Sequence, residues 1–326
     1  MGPKLTDFDL AIVGSGFGGS LLALIARRLD LRVLLIEKGH HPRFAIGEST
    51  SPLANLVLED LCREYDLGAI APLSSYGAWK AACPNVGCGL KRGFSFYHHV
   101  VGRPFVKCAN HSNELLVAAS PSDRVADTHW LRADVDHFLA RQAASAGVEF
   151  VEDTQVGALD FQAGGVLIHA RTGERSWSAR APFLVDATGP RGLLAQQLGL
   201  GNEPWPFLPP VQALYSHFQG LPPMSAASGS SEEPPYPPER AAVHHIFDGG
   251  WIWSLRFDNG ITSAGVAARP WLADELALSS GPQGWQNLLD RFPSLEFFRQ
   301  AVPIRPFNTI SNMPYRSQEI VGPQWA

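Results

Sequence analysis

The feature that most constrains this chain is the run Gly14-Ser-Gly-Phe-Gly-Gly19 together with what stands on either side of it. Residues 9–13 (DLAIV) are a short apolar run, which predicts a buried parallel strand. Residues 20–29 (SLLALIARRL) are good helix formers with no breaker among them. Residues 31–36 (LRVLLI) predict a second buried strand that ends at Glu37. Strand, glycine turn, helix, strand and acid follow in the order of a dinucleotide-binding unit. The first glycine permits the tight turn, the second lets a pyrophosphate approach the backbone, and the third lets helix and strand pack closely. The helix N-terminus offers free N–H groups to phosphate oxygens. A carboxylate is due about 20 residues on to hold the ribose hydroxyls, and Glu37 fills that place. Gly14, Ser15, Gly16, Phe17, Gly18, Gly19, Glu37 and its neighbour Lys38 are therefore the expected nucleotide contacts.

Further along, the spacing predicts a helix over residues 51–67 with Leu53, Leu56, Val57 and Leu61 inward, then irregular chain over 74–93. A strand is expected over 94–101 and a second amphipathic helix over 130–146, with Gly147 as its left-handed cap. Residues 148–151 predict another strand, 166–170 and 176–181 a hairpin, and 183–185 a buried strand leading into Asp186-Ala-Thr-Gly189. Residues 211–218, 242–247, 251–257 and 262–268 predict strands, the last three joined by Asp248-Gly-Gly and Asp258-Asn-Gly turns into an antiparallel meander. Between them, residues 220–240 form a Pro/Ser-rich loop expected to be mobile. The fold class is α/β: a Rossmann-like dinucleotide-binding domain (residues 1–75 and 105–205) interleaved with a substrate-side antiparallel sheet (76–104 and 206–326).

With 326 residues the chain has room for two such units. Its net charge of −5 gives no broad positive field, which argues against a nucleic-acid partner. No apolar run reaches the roughly 18 residues of a membrane span, and no secretion leader is read at the N-terminus. Four cysteines without a C-x-x-C pair suit reduced thiols and a cytoplasmic setting. The pairs His98-His99 and His244-His245 lie on predicted strands, where adjacent side chains diverge, so no metal site is expected. His40 and His41 are expected to be solvated.

NAD and FAD sites share the glycine fingerprint, and the rest of the chain decides between them. In order, GSGFGG, the GEST of residues 47–50, WLRADVDHFL and VDATG resemble the FAD-binding fold of the aromatic monooxygenase superfamily. Within it, PRFAIGEST, CGLKRGFSF and GGWIWSLRF are similar to the flavin-dependent halogenases, nearest to those acting on phenols and pyrroles. The resemblance extends the flavin site to Ser49, Thr50, Arg132, Val156, Asp186 and Gly189. It implies that reduced FAD and O2 oxidise chloride or bromide to hypohalous acid, which a lysine delivers to a small electron-rich aromatic ring, free or on a carrier protein. The K-x-G-F-S-F context points to Lys91 for that lysine, whose ammonium can polarise the oxidant or, when deprotonated, form a chloramine. Lys80, in YGAWKAA, is the second candidate. Trp251 and Trp253 resemble the family's tryptophan motif between flavin and substrate, although here the chain continues Ser254-Leu-Arg256 where the family has proline at the last place. The absence of a second G-x-G-x-x-G implies a separate flavin reductase. The chain stops at residues 320–326 (IVGPQWA), short of the family's later flavin segment and helical C-terminal domain, so weak FAD retention is expected. A monooxygenase or dehydrogenase on the same scaffold, or a non-catalytic flavin-binding fragment, are the alternatives.

Overall fold

The computed structural model describes residues 6–190, 192–223 and 235–326. Four parallel strands stand in the order Leu184–Asp186, Leu10–Val13, Val33–Ile36, Glu149–Val151. The central two are buried on both faces, as continuous apolar runs require. Leu10, Ile12, Val33 and Leu35 face helices Phe17–Arg28 and Arg132–Ser145. Ala11, Val13, Leu34 and Ile36 face a second sheet, built from Thr154–Gln162, Gly165–Thr172 and Arg175–Ala181, with Thr6–Asp7 at its edge. The expected hairpin is present, but its neighbour Thr154–Gln162 was not read from the sequence.

The larger, eight-stranded sheet carries the expected meander Ala242–Phe247, Gly250–Arg256, Ile261–Ala268, with Val211–Gln219 beside it. Ala242–Phe247 continues in parallel onto Gly93–His98, which pairs in turn with Glu114–Ala118. One face of this sheet is a core: Leu214, Phe218, Ile252 and Val266 pack on Leu272, Trp285 and Leu288 of helices Pro270–Glu275 and Pro282–Arg291. Alternation sends Phe94, Phe96, His244, Trp251, Trp253, Tyr215 and His217 to the other face.

Two pairings cross the sequence boundaries between the units. Glu114–Ala118 joins the large sheet, and Cys88–Lys91 forms a two-stranded ribbon with Asp127–Trp130. Residues 74–93 are thus not irregular. They hold helix Tyr76–Ala82, whose Trp79 is fully buried, and the Cys88–Lys91 strand. Helix Pro52–Glu64 forms where expected but is rotated: Asn55, Leu58 and Cys62 are buried, while Leu53, Leu56 and Val57 are exposed. The buried face packs Leu58 and Cys62 against Leu67, Ile70 and Leu73 and turns Asn55 toward a buried polar partner described below. Most of the Pro/Ser-rich loop lies outside the described residues. No helix among the described residues is long and apolar enough to cross a membrane.

Candidate functional site

At the glycine turn the fold requires Gly14 and Gly19. Gly14 has φ +104°, and a Cβ there would strike the Ala187 backbone; a Cβ on Gly19 would strike the Gly14 carbonyl. Gly18, by contrast, opens onto free space, and Gly16 meets only the ends of Arg132, Arg43 and Asp136. Helix Phe17–Arg28 has no carboxylate in its first turn and no side chain capping its amides. The result is an open backbone cradle at a positive helix end, which fits a pyrophosphate.

Glu37 closes one side of the cradle. Its Oε2 accepts from the Ser15 amide (3.0 Å), the Ser15 hydroxyl (2.9 Å) and Arg43 (3.1 Å), and Oε1 accepts from the Gly39 amide (2.9 Å). Burial pushes this carboxyl up, but the Gly39 and Ser15 amides and the Arg43 charge outweigh it and hold Glu37 below its usual range. His41 is buried, not solvated as expected; its Nε2 lies 2.7 Å from the Ser15 hydroxyl. Its neighbour His40 stays exposed beside Asp153. Lys38 is exposed at the strand end.

Arg132 opens its helix and bridges the turn to the 43–50 loop. It makes two bonds to Asp136 (2.8 and 2.9 Å), donates to the Ile46 and Gly47 carbonyls, and lies 4.7 Å from the Phe17 ring centre. Asp186 accepts from Thr188 and from the Leu194 amide (2.7 Å), so it shapes the turn in which Gly189 (φ +89°) leaves open space. The side chain of Val156 belongs to the core between the two smaller sheets, packed with Val166 and Ile168.

The second half of the site lies where the ribbon meets the open face of the large sheet. Lys91 is 1 % exposed, its Nζ donates to the Thr50 carbonyl, and it stands 4.1 Å from the Phe94 ring centre. Burial pushes its pKa down to about 8, with Asp127 offsetting part of that effect. Ser49 bridges to His129, and the Thr50 hydroxyl donates to the Thr128 carbonyl, so the GEST loop is fastened to the ribbon. Glu48 reaches the opposite way, to His217 Nε2 at 2.7 Å in a fully buried pair. Trp253 packs with Tyr215, Phe44 and Ile46, whereas Trp251 sits on the rim at 36 % exposure.

The two lysines are separated in kind. Lys80 lies on the surface in an ion pair with Asp258 (2.8 Å, side chain 41 % exposed). Arg256 points to the sheet face opposite Trp251 and Trp253, where it donates to the Leu221 and Pro222 carbonyls. The departure from the tryptophan motif therefore places no charge among the tryptophans.

Sequence reading missed Asn55, Asp127, His129, Glu48, His217, Arg43 and Asp136. Arg43 and Glu48 lie inside the PRFAIGEST segment and Asp136 stands four residues after Arg132 on one helix face, so these three carried a signal. The others meet through tertiary pairing. His99 and His245 join through ring nitrogens 3.0 Å apart among Phe105, Phe297 and Phe298, on the core side of the large sheet. Among the described residues no cluster of His, Cys, Asp or Glu has the geometry to hold a metal ion.

The sequence and the fold both have counterparts among known proteins. The chain is 31 % identical over 336 residues to the tetracycline 7-halogenase of Kitasatospora aureofaciens, an alignment covering 98 % of this chain and 57 % of that protein. It is 25 % identical over 319 residues to a chlorinase of 1H-pyrrole-2-carbonyl peptidyl-carrier protein from Pseudomonas fluorescens, covering 97 % and 68 %. The fold matches the crystal structure of halogenase PltM in complex with phloroglucinol and FAD, with a TM-score of 0.82 at 24 % identity over 98 % of this chain and 63 % of that one. The chain thus spans little more than half the length of its first relative. A family model described as FAD dependent oxidoreductase matches residues 9–319, the cradle and the ribbon included, and the chain belongs to that family.

Proposed function

We propose that this chain carries the flavin half and the delivering lysine of a halogenase acting on an electron-rich aromatic of phenol or pyrrole type. The observation that carries this is Lys91: an ammonium buried against the GEST loop, beside an open aromatic sheet face, with no carboxylate within ion-pair distance among the described residues. The Gly14–Gly19 cradle would hold reduced FAD, which with O2 and chloride or bromide would supply hypohalous acid. Glu37 would hold the adenosine ribose, and Arg132 would keep the 43–50 loop against the cradle. Phe94, Phe96, Trp251 and Trp253 offer flat apolar surface to the ring and keep water from it.

Lys91 stays mostly ammonium at pH 7 with a pKa near 8. Its Nζ–H donates to the oxygen of the hypohalous acid while a ring carbon attacks the halogen. The ring–halogen bond forms, the halogen–oxygen bond breaks, the oxygen leaves as water with the lysine's proton, and the ring then loses its own proton. General acid help of this kind is worth about 10²–10⁴-fold. A carrier-tethered substrate is part of the proposal on the strength of the Pseudomonas relative's name. A separate flavin reductase and a cytoplasmic setting complete it. The test is Lys91→Ala, assayed with a flavin reductase, O2 and bromide. Halogenated product is expected to vanish while flavin oxidation continues; product at the parent's yield would remove the lysine from the mechanism, and a parent that oxidises flavin but makes no halogenated product would overturn the halogenase reading.

A further inference from the structure

Lys91 sits in a polar cluster that the chemistry above does not use. In the ribbon ladder Lys91 is partnered with Asp127 and Gly89 with His129, so Lys91, Asp127 and His129 project from one face. Asp127 and His129 are 3 % and 0 % exposed. Asp127 Oδ1 accepts from Asn55 Nδ2 at 2.7 Å, but Oδ2 is buried and accepts no hydrogen bond. Lysine and aspartate are neighbours in the ladder, yet no ion pair within 4.0 Å joins them. Buried polar atoms left unpaired are costly, so an arrangement that keeps them calls for a use.

We propose that Asp127 is a positioning residue for Lys91: held by Asn55 at a distance from Nζ, its carboxylate sets the pH at which the lysine exchanges its proton without occupying the protons that the oxidant needs. The proposal rests on Lys91 being the delivering lysine. The groups that face Nζ are few. The Thr50 carbonyl comes from the GEST loop, the Phe94 ring from the following strand, Asp127 and His129 from the paired strand, and His244 from the large sheet. Asp127 is the single acid in this set. Both histidines stay neutral, since burial pushes His129 down to about 3 and His244 below its ordinary value. Burial alone would push the lysine further down, and Asp127 is the charge that opposes it. A direct ion pair would give more attraction but would tie up an Nζ proton. Distance retains the field and leaves the donor free.

The experiment is a titration of the Lys91 Nζ by ¹⁵N-lysine NMR on the FAD-loaded protein, its signal assigned by loss in Lys91→Met. In Asp127→Asn, isosteric and uncharged, the midpoint should fall by about one pH unit, and Asp127→Glu should restore most of it. The pH profile of halogenation should move the same way whichever form of the lysine acts, because its lysine limb follows that midpoint. Asp127→Ser gives a second uncharged side chain should Asp127→Asn fail to fold. A midpoint and profile limb that stay at the parent's pH in a folded uncharged variant would overturn the proposal. Should Lys91→Met halogenate like the parent, the delivering role of Lys91 falls by that result alone, and should the parent make no halogenated product the halogenase reading falls, whereas the titration still reports on Asp127.

Discussion

The cradle and the ribbon solve opposite problems. At the cradle the principal charges are matched: Glu37 receives two amides, a hydroxyl and a guanidinium, and Arg132 is held by Asp136 and two carbonyls, which leaves only Arg43 Nε and His41 Nδ1 over among the described groups around Ser15 and Glu37. At the ribbon the groups are just as buried but under-matched. Asp127 Oδ2 has no hydrogen-bond partner among the described residues, and Lys91 has one carbonyl for three protons. A surface that binds a ligand of fixed shape gains when its own groups are already paired, because little has to reorganise on binding. A surface that moves protons needs groups with spare capacity, and keeping them buried and unsatisfied costs stability.

The largest test of this contrast is Lys91→Met. It should lower halogenation by about 10²–10⁴-fold, read as product per flavin oxidised, and at the same time stabilise the fold. The lysine's pKa falls from 10.5 to about 8 on burial, a difference worth roughly 3 kcal/mol. The sign follows from proton counting. Between pH 8 and 10.5 the unfolded chain holds the proton that the folded chain has lost, so parent stability from this group rises with pH through that window. Below pH 8 the penalty is present in full. Denaturant melts at pH 7 and pH 10 should show Lys91→Met more stable than the parent at pH 7, with the gap narrowing at pH 10. A variant less stable at pH 7 would show that the ribbon is as well matched as the cradle.

At the cradle the expected losses run the other way. Gly19→Ala forces a Cβ into the Gly14 carbonyl and should cost about 1–3 kcal/mol of stability, with FAD affinity falling alongside. Glu37→Gln removes the charge that Arg43 faces and one acceptor of the ribose site. FAD binding followed by fluorescence quenching should weaken about tenfold, near 1.4 kcal/mol. The smallest effect belongs to Lys80→Ala. Its ion pair with Asp258 is exposed, so stability should change by no more than about 0.5 kcal/mol and halogenation not at all. A loss of activity there comparable to that of Lys91→Met would break the assignment of the two lysines.

The sequence by itself determined the βαβ unit, because its signals are local. Apolar runs set the two strands, steric demand sets Gly14 and Gly19, and the spacing to Glu37 is fixed by one helix and one strand. The large sheet's meander was legible for the same reason, since Asp-Asn-Gly turns and alternation act between neighbours in the chain. The rotation of helix Pro52–Glu64 was not: the face that is buried packs Leu58 and Cys62 on Leu67, Ile70 and Leu73 and meets Asp127, 72 residues from Asn55, and those neighbours are set by the fold. His41 likewise looked like a loop histidine until the fold brought Ser15 against it. Lys91 is a candidate on its sequence context alone, but its burial, its lowered pKa and its carboxylate across the ladder come from the pairing of Cys88–Lys91 with Asp127–Trp130. A proton affinity depends on solvent exclusion and on charges within a few ångströms. Those are properties of which segments meet, and only the tertiary structure decides that.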